Sequence, residues 1–261
     1  MFTTNTSSTS FTSTRSPARV VSVDLLRGLA MLLMALGHTR IFLSHDLISF
    51  YPWDLSQTRP ALFLVQWLGR FTSPAFFLLA GFAIFFFGEH KSKSDVSRFL
   101  LTRGAWLILL DLTWGKFAWL FQYDTSEFGA SVLWALGWSM IALAGLIWTG
   151  KPWLVGALGA VMIAAHNLFD GVTSDQLGNF GWLWKILHEP GAELEPFTGV
   201  HLHIFFALIP WGGVMAVGYA LGPLLRADWQ RRHKWLLRLG TGLILGFLLF
   251  RLTNRYGDPV P

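Results

Sequence analysis

Apolar residues in this chain fall in long, nearly uncharged runs, among them 71–87, 132–148 and, with a single arginine inside, 236–250. A helix packed on one side and wetted on the other returns to a polar residue every turn, and these runs do not. At the rise of an α-helix, about 20 residues cross the hydrocarbon core of a bilayer. The pattern therefore predicts about seven helices, over 20–43, 69–87, 100–120, 131–149, 152–168, 203–222 and 235–252. The expected fold is all-α, a polytopic transmembrane helix bundle whose solvent is the lipid bilayer. The Ser/Thr-rich residues 1–18 are expected to be a disordered cytoplasmic tail, and 19–261 one transmembrane domain.

Composition narrows the classes further. Of 261 residues, 53% are apolar and 13% charged, where a soluble domain carries roughly a quarter charged residues. A soluble enzyme is excluded. Cysteine is absent, so disulfides, thiolate nucleophiles and Cys-based metal sites are excluded too. The net charge of +5 does not point to nucleic acid, because the basic residues flank the apolar runs. Thirteen of the 20 Lys and Arg residues, including Arg15, Arg19, Arg27, Lys91, Lys93, Arg98, Arg103, Lys151 and the cluster Arg226 to Arg238, fall on one side of the expected topology. That side is expected to be cytoplasmic, with the amino terminus on it. Acidic residues gather in the opposite loops, 44–60, 121–130 and 169–202. In the last of these, the aromatic patch Phe180 to Trp184 reads as an interfacial anchor, with a lid as the alternative.

The first helix carries a polar stripe. At 100° per residue Asp24, Arg27 and His38 sit at about 0°, 300° and 320°, within about 60° of one another. Fourteen residues, about 21 Å of rise, separate Asp24 at one interface from His38 in the opposite half of the membrane. An ordinary i,i+3 ion pair and an internally hydrogen-bonded histidine account for the same residues. Ionisable groups within a membrane are costly and usually face a partner or cavity, however, and histidine exchanges protons near neutral pH.

The series Arg19, Asp24, Arg27, Gly28, Ala30 and His38 resembles the first-helix signature of multi-pass membrane acyltransferases, including the acyltransferase-3 group and the heparan-alpha-glucosaminide N-acetyltransferase family. Segments 71–81 (FTSPAFFLLAG), 210–219 (PWGGVMAVGY) and 254–259 (NRYGDP) are similar to the bacterial branch of the latter. The resemblance implies a membrane-bound acyltransferase of the bacterial inner (plasma) membrane. It would move an acetyl or other acyl group from cytoplasmic acyl-CoA to a hydroxyl or amine of an extracytoplasmic saccharide, without a metal. Its partners would be acyl-CoA, the saccharide and the bilayer; a homo-oligomer is left open, and nucleic acid is excluded.

Under that resemblance Arg19, Asp24, Arg27, Arg98 and Arg103 form the side that holds the phosphates of the acyl-CoA donor. His38 fits the acyltransferase-3 spacing as the catalytic group, and His45, in the outer loop beside Asp46, is the alternative. Either histidine would deprotonate the acceptor or take the acyl group itself. Members of this family continue past the segment at 254–259 into further helices, so the chain is expected to be truncated at its carboxyl end.

Weaker signals remain. Asp111, within the third apolar run, needs a partner on another helix or a backbone group, or else it orients the acceptor or the catalytic histidine. Lys116, about 140° round the helix, does not face it. Arg40, Arg59 and Arg70 are expected to line an outer vestibule for the acceptor, although Arg70 also reads as an interfacial snorkel. His201 and His203 resemble a metal-binding pair, but on a helix they would lie about 200° apart, so no metal is expected. Gly28, Gly81, Gly212 and Gly213 read as small residues for close helix packing. Two other functions stay open: a transporter or flippase in which the stripe lines a path, with Pro74 and Gly81 marking a broken helix, and a non-catalytic membrane subunit.

Overall fold

The computed structural model describes residues 21–43, 58–121 and 126–253. Helix α1 (Val21–Leu43) leads to α2 (Pro60–Gly69) and α3 (Thr72–Gly88). Helix α4 (Lys93–Leu110) runs through a π-helical turn, Asp111–Gly115, into α5 (Lys116–Leu120). Strand β1 (Glu127–Ala130) precedes α6 (Val132–Leu146) and α7 (Pro152–Ala165). After them come α8 (Gly181–Leu187), β2 (Glu193–Phe197), β3 (Val200–Ile204), α9 (Leu208–Arg226) and α10 (Trp229–Thr253). Among the described residues six helical spans are long and apolar enough to cross a membrane: Val21–Thr39, Pro60–Gly88, Val132–Thr149, Pro152–Phe169, Leu208–Arg226 and Trp229–Thr253. The fold is an all-α polytopic membrane bundle; the run expected to span at 100–120 is not among the six, its helix α4 carrying Lys93, Asp95, Arg98 and Arg103 and passing into the π-helical turn.

Local chemistry sets the boundaries. The Ser92 hydroxyl accepts the Asp95 N–H at 3.1 Å and starts α4 seven residues earlier than its apolar run. Gly150, at φ 68°, turns the chain left-handed after α6, and Pro152 opens α7. The expected α-helix from 203 begins instead at Leu208, because 200–204 is a strand. Between Gly69 and Thr72 the second span is interrupted, and the Thr72 hydroxyl donates to the Gly69 carbonyl at 2.6 Å. This break stands just before Pro74 rather than at Gly81.

Helix α9 is the hub, packed against α3, α7 and α6, while α4 pairs with α6. Glycines allow these approaches. A methyl added at Gly104 would lie 2.6 Å from the Gly137 carbonyl, and one at Gly159 the same distance from that of Gly213. Gly81 and Gly218 hold α3 and α9 together in the same way, against the Met215 and Leu78 carbonyls. The reading of Gly81 and Gly213 as packing residues holds. Gly28, with nothing within 4 Å, and Gly212, in ordinary contact, do not serve that purpose. The packed core is Phe77, Leu100, Trp134, Leu143, Val155 and Met215 with their neighbours. Outward-facing Leu32, Leu243 and Leu252 are among many exposed apolar side chains, as a lipid solvent allows.

The 169–202 segment is more structured than a loop with an anchor. It holds a 3-10 turn, Ser174–Phe180, then α8 and the β2–β3 hairpin. Strand β3 pairs antiparallel with β2 and parallel with β1, giving the order β1-β3-β2. Ala130, Leu194, Leu202 and Ile204 pack on the core from this small sheet.

Candidate functional site

Helix α1 packs on α2 and α3. Near its start the Asp24 carboxylate accepts from Arg27 at 3.4 Å, both side chains being over a third exposed. His38, 14 residues further along, is half-buried. Arg40 stands in the same helix, with its side chain outside the described set, and Arg19 and His45 lie outside the described residues.

Among the described residues the expected donor cations ride on two helices, Arg27 on α1 and Arg98 and Arg103 on α4. Arg98 and Arg103 ride on α4, beside α6, and the Arg103 guanidinium sits 5.6 Å over the Phe99 ring. Arg59 and Arg70 are exposed at opposite ends of the ten-residue α2, about 16 Å apart along the helix axis.

Asp111 has a defined environment. It is 4% exposed, and its carboxylate accepts the Ser131 N–H at 2.7 Å, the Ser131 hydroxyl at 2.6 Å and the Trp134 N–H at 3.0 Å. Asp111 thus occupies the place of an N-cap for α6, although it comes from 20 residues upstream, and its negative charge meets the positive end of that helix. Gly115 leaves the room: a methyl there would lie 3.2 Å from the carboxylate. Lys116 turns elsewhere, donating to the Glu127 carbonyl at 2.9 Å.

A second polar cluster lies on the sheet. On a strand, residues i and i+2 share a face, so His201 and His203 stand side by side rather than about 200° apart. His201 Nδ1 is 2.5 Å from Glu193 and His203 Nε2 is 2.6 Å from Glu127. The Glu193 hydrogen bond raises the His201 pKa above its ordinary 6.5. Among the described residues no group of three or more His, Cys, Asp or Glu is placed to hold a metal. The alternation Glu193, Leu194, Glu195 and His201, Leu202, His203 is the signal in the sequence that marks these strands.

A bundle of lipid-exposed helices, with an ion pair and a histidine on its first span and a polar sheet at the helix ends, defines an integral membrane protein with ionisable groups on both its spans and its connections. The family described as "Heparan-alpha-glucosaminide N-acetyltransferase, catalytic" matches residues 19–248, and the chain belongs to that family. No curated protein and no solved structure matches it.

Proposed function

We propose that this protein transfers an acetyl or other acyl group from cytoplasmic acyl-CoA to a saccharide hydroxyl or amine on the opposite side of the membrane. The observation that carries this reading is the match of the catalytic-domain family over residues 19–248, which includes the whole of α1. The donor implied by the family is acetyl-CoA. Arg27, with Arg19, Arg98 and Arg103 on the same side of the proposed topology, attracts its phosphates. Arg40, Arg59 and Arg70 are the residues proposed for the acceptor, with Arg59 and Arg70, about 16 Å apart along α2, meeting different parts of it.

His38 is the proposed general base or nucleophile, and His45 the alternative. As base, the imidazole takes the acceptor's proton while the acceptor oxygen or nitrogen bonds to the acyl carbon. The carbon–sulfur bond breaks, and the imidazolium returns its proton to the departing thiolate. As nucleophile, the imidazole nitrogen bonds to the acyl carbon as the carbon–sulfur bond breaks and the thiolate leaves with the imidazole's proton; the acceptor then bonds to that carbon, the carbon–nitrogen bond breaks, and the acceptor's proton returns to the imidazole. Asp111 acts through structure, by fixing the start of α6. The membrane of residence is proposed to be the bacterial inner membrane with the amino terminus cytoplasmic, supported by the basic residues beside the spans.

The test is incubation of purified protein with acetyl-labelled acetyl-CoA and a panel of amino and neutral saccharides. His38→Ala should abolish transfer per folded molecule, and His45→Ala should reduce it less. Loss in His45→Ala alone moves the catalytic role to His45, and retention in both removes histidine from the mechanism. The break at Gly69–Thr72 favours the second reading, a transporter, which predicts no labelled product and no binding of acyl-CoA.

A further inference from the structure

The last two helices diverge. Beside the carboxyl-terminal half of α9 and the amino-terminal half of α10 lies an open groove of about 530 Å³, within the roughly 300–1,000 Å³ of clefts that hold small ligands. It is lined by Leu221 and Leu224 from α9, by Trp235 and Leu239 from α10, and by the cations Arg226 and Arg231. No residue of α10 is buried, and α9 is its main neighbour among the described elements.

The cations lining the groove and those beside it on α10 differ in their commitments. Arg226 is held by both carboxylate oxygens of Glu89, with Nε at 2.9 and 3.1 Å, and lies 4.7 Å over the Phe86 ring. Arg232 donates to the Leu225 carbonyl at 3.1 Å. Arg238 covers Trp235 at 5.5 Å. The Arg231 guanidinium makes no hydrogen bond or ion pair with a described side chain; only its backbone N–H is engaged, by Asp228 at 3.0 Å. Arg226 and Arg231 line the groove, and Arg232, Lys234 and Arg238 follow within two turns of α10; the carboxylates bonded to the lining pair are Glu89 and Asp228.

We infer that this groove binds an anionic phospholipid, with its phosphate at Arg231 and an acyl chain along Leu221, Leu224 and Leu239. In a bilayer an apolar cleft between two spanning helices is filled by lipid, and a basic mouth between helices selects an acidic headgroup. The excess of cations disfavours a zwitterionic headgroup, whose ammonium would meet them. The lipid then adds to the contacts that α10 makes with α9 among the described elements. This inference is independent of the acyl-transfer reading.

The test uses the full chain in neutral detergent, titrated with phosphatidylglycerol and with phosphatidylcholine of matched chains, and read by native mass spectrometry. Wild type should retain phosphatidylglycerol at least tenfold more tightly. Arg231→Gln should lose roughly tenfold of that affinity, while Arg251→Gln, at the other end of α10, should lose none. Leu239→Trp, which keeps every charge and fills the groove, should weaken both lipids, and it carries the test if Arg231→Gln proves aggregated. Equal retention of the two lipids overturns the inference, as does full retention in Leu239→Trp. Displacement of phosphatidylglycerol by free coenzyme A, itself weakened by Arg231→Gln, overturns it in favour of a nucleotide-phosphate site.

Discussion

Replacing Asp111 by alanine separates a structural carboxylate from a chemical one. The substitution leaves the Ser131 N–H, the Ser131 hydroxyl and the Trp134 N–H without their acceptor beneath a residue that is 4% exposed. Hydrogen bonds to a charged group contribute about 1.5–3 kcal/mol each. They do not sum, because the freed Ser131 hydroxyl can swing to the Trp134 N–H as an ordinary N-cap. The expected loss is therefore about 2–4 kcal/mol, since the groups left behind are neutral donors that cost about 1–3 kcal/mol each when unsatisfied. Ordinary interhelical hydrogen bonds in a bilayer average about 0.6 kcal/mol, so the two cases are well separated. Asp111→Asn, which keeps one acceptor oxygen, should lose about half as much. The assay is reversible unfolding in mixed micelles, followed by turnover per folded molecule. Wild-type stability in Asp111→Ala would refute the capping argument, and wild-type stability with lost turnover would make Asp111 part of the chemistry.

Three further outcomes are expected. Gly104→Ala, whose methyl would lie 2.6 Å from the Gly137 carbonyl, should lower stability by about 1–3 kcal/mol; Gly240→Ala on α10, with nothing within 4 Å, should not, and thermal unfolding of the pair checks both. Arg27→Ala should weaken acyl-CoA binding roughly tenfold while sparing acceptor binding; equal acyl-CoA affinity in titrations of the two proteins would leave Arg27 a partner of Asp24 only. The sheet should be pH-dependent. Because the Glu193 hydrogen bond raises the pKa of His201 above 6.5, its contribution is complete below the unfolded value and is lost as pH rises through the raised folded value. Glu127, Glu195, His203, Lys116 and Lys185 surround the pair and should modulate the midpoint. Amide exchange across 193–204, corrected for intrinsic rates, should show protection falling over that window, and His201→Gln should flatten the profile.

The spanning helices are legible in the sequence because lipid asks for one property, sustained apolarity, over a length that few other elements need. Asp111 is legible as a residue in need of a partner, but the partner is not. Nothing in the run around it names Ser131, which the π-helical turn and β1 bring back to it. The sheet is hidden for a different reason. Strands β1 and β3, of four and five residues, end only a few positions before long helical runs, and in this context His203 reads as the start of α9. Of the proposed site, the Asp24–Arg27 contact follows from helical spacing. The separation of Arg98 and Arg103 from α1 follows from which helix each pairs with, and spacing along the chain carries no record of that.

The glycine contacts of α9 also bear on motion. Gly218 locks it to α3 and Gly213 to α7, with backbone against backbone on two sides, so α9 cannot turn about its axis without driving atoms into both neighbours. The three helices must shift as one block. Among the described residues none of α10 is buried, so relative motion of the spans falls to α10 before it falls to that block.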